Sequence, residues 1–227
     1  MRQDFRNCGC DVIDQAYSHC FEFFPWLLTR AAAPPKTNIV VTNTWNGFAF
    51  SRPGTKMVAV DRLFVLDPAL TRYKSRSQRV YHDLFVRRHV MASARQADAV
   101  VAVSDYTAEV FAHELKLPKP QVILNAVDTE FTPSPSGKQP RDGRPIRLLY
   151  VGNLSRRKGA DLLAPIMENL GSGYELYYTA GLRASALKER NRNMYPLGQL
   201  DQTQIRDQYR DADLLLFPHA AKGFRVQ

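Results

Sequence analysis

The sequence predicts an α/β fold with two lobes, each built on a parallel sheet. Short apolar runs alternate along the chain with segments whose apolar residues recur at helical spacing, and this alternation is typical of parallel strands joined by crossover helices. One stretch, 131–144 (FTPSPSGKQPRDGR), is rich in proline and glycine and nearly lacks apolar side chains, which predicts a linker. We therefore expect a first lobe over 1–132, a linker over 133–145 and a second lobe over 146–227.

The first lobe opens with residues 11–30, whose apolar spacing predicts an amphipathic helix disturbed by Pro25. A mostly helical segment is expected over 73–97, and Ser104 is expected to cap a helix over 106–115. The predicted strands are apolar runs at 38–42 (NIVVT), 56–65 (KMVAVDRLFV, with its exit loop), 99–103 (AVVAV) and 121–124 (QVIL).

The second lobe opens with an apolar run that ends at Gly152, followed by the segment Gly152–Gly159 (GNLSRRKG), which we call the basic turn. The turn carries Arg156, Arg157 and Lys158 at the place where a parallel sheet normally binds its ligand, outside the carboxyl ends of its strands. Backbone N–H groups, a helix start and an ammonium group together suit a diphosphate. A basic surface turn without a ligand is the alternative.

The rest of the second lobe continues the alternation of helices and strands. Helices are expected over 160–170 and 202–209, strands over 175–179 and 213–217, and loops around 193–198 and 218–223. Asp211 and Asp213 form an Asp-x-Asp pair at a helix-to-strand junction. We interpret this pair as packing and expect no metal site.

Three ordered segments resemble retaining glycosyltransferases of the GT-B fold, family GT4. The basic turn, with the preceding valine (VGNLSRRKG), is similar to the family's V-G-R-L-x-x-x-K-G turn. Residues 99–128 are similar to its ADAVVAVS…VIPNGVD region, and 198–224 are similar to its LYRxADxxxxPSxxEGF region. The resemblance implies two Rossmann-like lobes and transfer of a sugar, with retention, from a nucleotide-sugar donor to a glycan or lipid-linked acceptor.

The resemblance assigns the donor-binding residues to the second lobe. Gly152 matches the glycine that lets the backbone approach the donor diphosphate, and Lys158 matches the lysine that neutralises its charge as the sugar–phosphate bond breaks. Asn153 stands where the family has arginine, so Arg157 or Arg156 is expected to substitute. The remaining donor-binding residues are Lys222, in place of a glutamate that binds the donor, and Gly223.

The catalytic residues implied by the resemblance are Lys158 and Asp61, the latter standing where the family has a histidine that faces the reacting sugar. His82 also occurs in an HDLF motif, but its basic helical surroundings make it a poor equivalent. The family's first strand and its E-x7-E motif are both missing from the sequence. We therefore expect both lobes to be incomplete, and a truncated or degenerate glycosyltransferase-like protein without activity is the alternative.

The charge of the chain, +9 at pH 7, favours anionic partners. Arginines interleaved with aromatic residues between 72 and 95 suggest peripheral contact with an anionic membrane; a solvated helix face is the alternative. No nucleic-acid-binding module is recognisable, so we expect no nucleic acid partner. The N-terminus has no secretory signal and the chain no apolar run of membrane-spanning length, which predicts a cytoplasmic protein, peripheral at the inner face of the membrane. Neither a metal nor a cofactor is expected, and the cysteines, including Cys8 and Cys10, are expected to be free thiols.

Overall fold

The computed structural model describes residues 8–18, 21, 24–30, 37–126, 131, 143–180 and 191–218. These residues divide into two compact units. The first takes in the described residues up to Phe64 together with Val80–Ile123, and the second takes in Val65–Arg79 and the described residues from Leu124 onward. Most of the linker predicted over 133–145 lies outside the described residues, so the predicted domain bounds stay predictions.

The first unit contains, in its described residues, a four-stranded sheet in which every neighbouring pair is parallel. Its strands lie in the sheet in chain order. The strands are β1 (Ile39–Asn43), β2 (Lys56–Asp61), β3 (Ala99–Ala102) and β4 (Gln121–Val122). The strand β2 alternates buried and partly exposed residues, and Ile39 and Val41 of β1 are exposed.

A helical segment runs through α1 (Arg76–Tyr81), a π-helical turn (His82–Val86) and α2 (Arg87–Gln96). Its residues up to Arg79 are counted with the second unit and those from Val80 with the first. The helix α3 of the first unit spans Asp105–Leu115. The predicted cap of α3 is confirmed, since Ser104 Oγ accepts a hydrogen bond of 3.1 Å from the Thr107 N–H. The fully buried core side chains include Met57, Val86, Val90 and Phe111.

The predicted N-terminal amphipathic helix is wrong for the residues that the structure describes. Residues 11–18 form no helix, and Pro25–Arg30 form a short 3-10 helix that buries Pro25 and Leu28. Pro25 lacks the N–H that the interior of an α-helix needs, and its ring would clash with the carbonyl of residue 21. A helix can therefore start at this proline but cannot run through it.

The second unit contains, among its described residues, another four-stranded parallel sheet, with the strand order β7-β6-β5-β8. The strands are β5 (Ile146–Tyr150), β6 (Tyr174–Thr179), β7 (Met194–Gly198) and β8 (Leu214–Leu215). A cluster of Leu148, Tyr150, Leu163, Met167 and Leu176, with Tyr178 and Met194, forms its core. The α/β fold with parallel sheets, predicted from the alternation of apolar runs, is confirmed.

The two helices predicted in this unit are present, with different agreement at their first residues. The helix α4 spans Leu163–Leu170 and is shorter than predicted, because residues 160–162 form a 3-10 turn. The helix α5 spans Gln202–Asp211 and starts with a capping box between Asp201 and Gln204.

The Asp-x-Asp pair of the second unit anchors the start of β5. Asp213 Oδ2 accepts a hydrogen bond of 2.8 Å from the Arg147 N–H, and Asp211 Oδ2 lies 3.9 Å from Arg147 Nη1. Both carboxylates therefore contact the same arginine, which is a packing role within the second unit.

Candidate functional site

The basic turn and the segment after β8 meet at the carboxyl ends of the strands of the second sheet. The basic turn follows β5 and Pro218 lies three residues beyond β8, and these two strands are neighbours. Gly159 has φ +72°, and a Cβ on it would lie 1.8 Å from the Pro218 carbonyl oxygen. The two segments therefore approach each other as closely as bare backbone allows, and only glycine fits at position 159.

Two buried side chains hold the basic turn in its conformation by hydrogen bonds to its backbone. The Tyr150 hydroxyl donates a hydrogen bond of 2.9 Å to the Asn153 carbonyl oxygen and a longer one of 3.5 Å to the Lys158 carbonyl oxygen. Thr179 Oγ1, at the end of β6, accepts a hydrogen bond of 2.9 Å from the Gly152 N–H. Burial raises the pKa of Tyr150 to about 12, so this hydroxyl keeps its proton and remains a donor at neutral pH.

Lys158 folds back over Gly152, so the two residues assigned to the diphosphate lie together. A Cβ on Gly152 would lie 3.0 Å from Lys158 Nζ and 3.2 Å from its Cδ. The lysine is half-buried. Its pKa is lowered, first by burial and then by the nearby Arg157 guanidinium. An ammonium group in this environment gains from the approach of an anion, since the anion offsets both effects.

The three basic side chains of the turn differ in their partners. Arg156 is highly exposed and its Nε lies 3.6 Å from Asp161 Oδ2. Neither Arg157 nor Lys158 has an acidic partner within the described part of the chain. These two cations are therefore available to a bound anion, whereas Arg156 is already paired. The sequence shows the cluster but gives no sign of this difference.

The remaining predicted donor-site residues are placed as follows. Asn153 is exposed at the start of the turn, and its carbonyl oxygen accepts hydrogen bonds from the Tyr150 hydroxyl and, at 2.8 Å, from the Ser155 N–H. Lys222 and Gly223 lie outside the described residues. Their roles stay predictions, although the chain leading to them starts at Pro218, against the basic turn.

Asp61, the other predicted catalytic residue, ends β2 in the first unit and is 3% exposed. Its Oδ2 accepts a hydrogen bond of 2.8 Å from the hydroxyl of Thr44, which is also buried. Burial raises the pKa of Asp61 to about 6, and the hydrogen bonds from Thr44 and from the backbone at Leu63 only partly oppose this shift. A carboxyl group with this pKa can accept a proton near neutral pH.

Residues after β1 include Thr44, which contacts Asp61, and two further side chains with buried polar atoms, and sequence reasoning assigned them no role. Asp61 Oδ1, Trp45 Nε1 and Asn46 Oδ1 are buried and lack hydrogen-bond partners within the described residues. Because β1 and β2 pair in parallel, their carboxyl ends lie at the same edge of the sheet. Polar residues directly after two predicted parallel strands are the sequence signal from which the residues after β1 could have been assigned to this edge. The Trp45 ring also packs edge-on against His82, with ring centroids 5.6 Å apart.

A metal site finds no support in the part of the chain that the structure describes. No group of three or more His, Cys, Asp or Glu side chains is arranged there to hold an ion. None of the helices in the same residues has the length and apolar character that a membrane crossing needs. Cys8 and Cys10 are exposed free thiols.

Residues 1–131, more than half of the chain, match the family model described as Glycosyltransferase Family 4. The chain belongs to this family. A comparison with curated protein sequences gives no match. The family match covers the first unit's Asp61 and Thr44, and the basic turn lies beyond it.

Solved structures of glycosyltransferases show the same fold at low sequence identity. A glycosyltransferase from Rickettsia africae ESF-5 has a TM-score of 0.53 and 14% identity over 96% of this chain and 62% of that chain. The pneumococcal O-GlcNAc transferase GtfA, solved with UDP and GlcNAc, has a TM-score of 0.57 and 15% identity over 94% of this chain and 43% of that chain. TarM has a TM-score of 0.50 and 11% identity over 78% of this chain and 35% of that chain.

The predicted GT-B fold is confirmed by these similarities together with the two parallel sheets. At such identities the similarity concerns the fold alone. The chain spans less than two thirds of the length of each of these proteins.

Proposed function

We propose that this chain carries out glycosyl transfer from a nucleotide-sugar donor to a glycan or lipid-linked acceptor, with retention of configuration. The observation that supports it best is the pairing of Lys158 with Gly152. A half-buried ammonium group lies over a glycine corner, beside a second cation, and neither cation has an acidic partner within the described residues. This arrangement suits a diphosphate, which carries the charge that develops as the sugar–phosphate bond breaks.

In the proposed reaction, the bond between the anomeric carbon and the donor diphosphate breaks as the acceptor hydroxyl oxygen bonds to that carbon, and the proton of this hydroxyl passes to the departing diphosphate. Lys158 and Arg157 stabilise the negative charge on the departing diphosphate. Since two fixed cations supply this charge, the proposal requires no metal ion. Asn153 contributes a hydrogen bond at most, and we propose that Arg157 takes the part of the arginine that the family has at position 153.

Asp61 is proposed to act on the sugar side of the reaction. Its buried carboxyl group, with Oδ1 without a partner among the described residues and a pKa of about 6, can accept a hydrogen bond or a proton from a sugar hydroxyl. We propose that Lys222 and Gly223 contact the donor as well. A lysine cannot accept hydrogen bonds from ribose hydroxyls, so Lys222 is assigned to phosphate.

A second candidate function is donor binding without turnover. It is favoured by two departures from the family pattern within the donor-binding segments, Asn153 for arginine and Lys222 for glutamate. Both candidates predict diphosphate binding, and only the first predicts release of a nucleoside diphosphate from a nucleotide sugar.

The test is a panel of nucleotide sugars assayed for release of nucleoside diphosphate, with and without lipid-linked and glycan acceptors. The proposal expects release for at least one donor, stimulated by acceptor, and loss of release in Lys158→Ala. Diphosphate binding without release for any donor would support the second candidate. Absence of both would overturn both candidates.

Arg157→Ala and Arg156→Ala form a matched pair within the same turn. We expect Arg157→Ala to weaken diphosphate binding by about tenfold, because a charge-assisted contact is lost. Arg156→Ala is expected to change binding little, since Arg156 is exposed and faces Asp161. Equal effects of the two substitutions would contradict the assignment of Arg157.

A further inference from the structure

We propose that the segment Val65–Lys74, which we call the capped loop, forms a second wall of the anion site at the basic turn, and that Arg72 binds a phosphate group there. Because the basic turn is the diphosphate site of the proposed function, this inference rests on that function. Arg72 lies far from the basic turn in the sequence, and the sequence alone gave it no part in the donor site.

The capped loop belongs to the same compact unit as the basic turn. The chain leaves the first unit after Phe64 and returns to it at Val80, and the residues between are counted with the second unit. Within that stretch, Cα atoms of a 3-10 helix, Pro68–Tyr73, lie within 8 Å of Cα atoms of Arg156–Lys158. The loop therefore lies against the basic residues of the turn.

Hydrogen bonds within the capped loop and two buried leucines fix its conformation. Asp67 caps the 3-10 helix, since its Oδ1 accepts a hydrogen bond of 2.7 Å from the N–H two residues further along the chain. Lys74 Nζ donates a hydrogen bond to the Val65 carbonyl oxygen, which joins the two ends of the loop. Leu66 and Leu70 are each 6% exposed. The loop is therefore a packed part of the second unit that can present a side chain at a fixed place.

Arg72 has the exposure and the support that a phosphate-binding arginine needs. It is exposed, and its guanidinium carbon lies over the Tyr73 ring, 4.8 Å from the ring centroid. Contact with the face of an aromatic ring stabilises the cation and limits its conformations. Since a guanidinium group donates hydrogen bonds within its own plane, an arginine held over a ring is compatible with bidentate binding of phosphate.

The charges of the two segments explain why an anion belongs between them. The basic turn has three basic residues and no acidic one. Residues 65–79 contain one acidic residue, Asp67, and four basic ones, Arg72, Lys74, Arg76 and Arg79. Packing two basic segments against each other costs free energy, because like charges repel at short range. A phosphate group between them offsets this cost, since it accepts charge-assisted hydrogen bonds from arginine and lysine alike.

Two substrates of a glycosyl transfer can supply this phosphate group. If it belongs to the donor diphosphate, Arg72 adds to the positive charge that Lys158 and Arg157 supply. If it belongs to a phosphorylated acceptor, Arg72 places that acceptor beside the donor. The shared chemistry is a phosphate group bound by a guanidinium group, and separate ligands distinguish the two sources.

The experiment compares Arg72→Gln with Arg88→Gln, which removes the same charge from an exposed arginine counted with the first unit. In one arm, titration calorimetry measures the binding of UDP, GDP and ADP. In the other arm it measures the binding of butyl phosphate, a soluble phosphomonoester, with the diphosphate at saturation. We expect Arg72→Gln to weaken binding by about fivefold to tenfold in at least one arm, because a charge-assisted contact is lost. Arg88→Gln should bind as the unchanged chain does.

Weaker diphosphate binding by Arg72→Gln assigns Arg72 to the donor, and weaker binding of butyl phosphate alone assigns it to the acceptor. Normal binding by Arg72→Gln of every ligand that the unchanged chain binds overturns the inference. Equal weakening by Arg88→Gln also overturns it, because the effect would then follow the net charge of the chain. Circular dichroism checks that both variants fold.

Lys158→Met separates this inference from the proposed function. If Lys158→Met weakens diphosphate binding while Arg72→Gln changes neither arm, the proposed function stands without the capped loop. If the unchanged chain binds no diphosphate, the proposed function fails and the role of Arg72 fails with it.

Discussion

Replacing Gly159 with alanine perturbs the point where the basic turn meets the segment after β8. The residue has φ +72°, and a Cβ would lie 1.8 Å from the Pro218 carbonyl oxygen and 2.8 Å from its carbonyl carbon. No rotamer can relieve this contact, because both partners are backbone atoms. Gly159→Ala must therefore move the chain at Pro218 or the turn itself.

Two costs add in this variant. A non-glycine residue in the left-handed region costs about 1–2 kcal/mol, and displacing tightly packed neighbours costs about 1–3 kcal/mol more. Gly159→Ala should therefore cost about 2–5 kcal/mol in total, of which the backbone conformation accounts for only about 1–2 kcal/mol.

The assay is urea unfolding followed by far-ultraviolet circular dichroism, with diphosphate binding measured on the folded variants. Gly159→Ala should lower the free energy of unfolding by about 2–5 kcal/mol. It should also weaken diphosphate binding, because the turn moves. A loss of only about 1 kcal/mol, with unchanged diphosphate binding, would refute the contact between Gly159 and Pro218.

Three further substitutions test Asp61 and the basic turn separately. Because the pKa of Asp61 is raised to about 6 in the folded chain, its ionisation opposes folding, and the chain should lose about 1–2 kcal/mol of stability through this group between about pH 5 and pH 8. Asp61→Asn should abolish this loss in urea unfolding. An equal loss of stability in both proteins would contradict the prediction. Tyr150→Phe deletes the hydrogen bond to the Asn153 carbonyl oxygen, so it should lower the free energy of unfolding by about 1 kcal/mol and weaken diphosphate binding. Unchanged stability and binding would show that the hydroxyl does not support the turn. Gly152→Ala should displace the flexible end of Lys158 and weaken diphosphate binding by about tenfold, at a stability cost of only about 1 kcal/mol. Unchanged affinity in calorimetry would show that Gly152 and Lys158 do not act together on the diphosphate.

Features set by neighbouring residues could be predicted from the sequence. The strands β1, β3 and β5 are continuous apolar runs, and the Ser104 cap needs only a residue three positions further along the chain. The cluster of basic residues after β5 was predicted for the same reason. In the N-terminal segment the apolar residues have a helical period, but Pro25 prevents a continuous α-helix and the prediction there is wrong.

Contacts between distant segments could not be predicted. Thr44 meets Asp61 across 17 residues, and Gly159 meets Pro218 only because β5 and β8 are neighbours in the sheet. The pairing of Arg156 with Asp161 also depends on the 3-10 geometry of the turn. These contacts decide which cations are available and what the pKa of Asp61 is, so the chemistry of the site follows from the fold.

The proposed site depends above all on Lys158 binding a diphosphate over Gly152. Titration calorimetry compares the unchanged chain with Lys158→Met, using UDP and the other nucleoside diphosphates and then the matching nucleosides. We predict that at least one diphosphate binds and that Lys158→Met weakens this binding by about 10- to 100-fold, with little effect on the nucleoside. Equal affinity of both proteins for every diphosphate, or no binding to any of them, would contradict this role of Lys158.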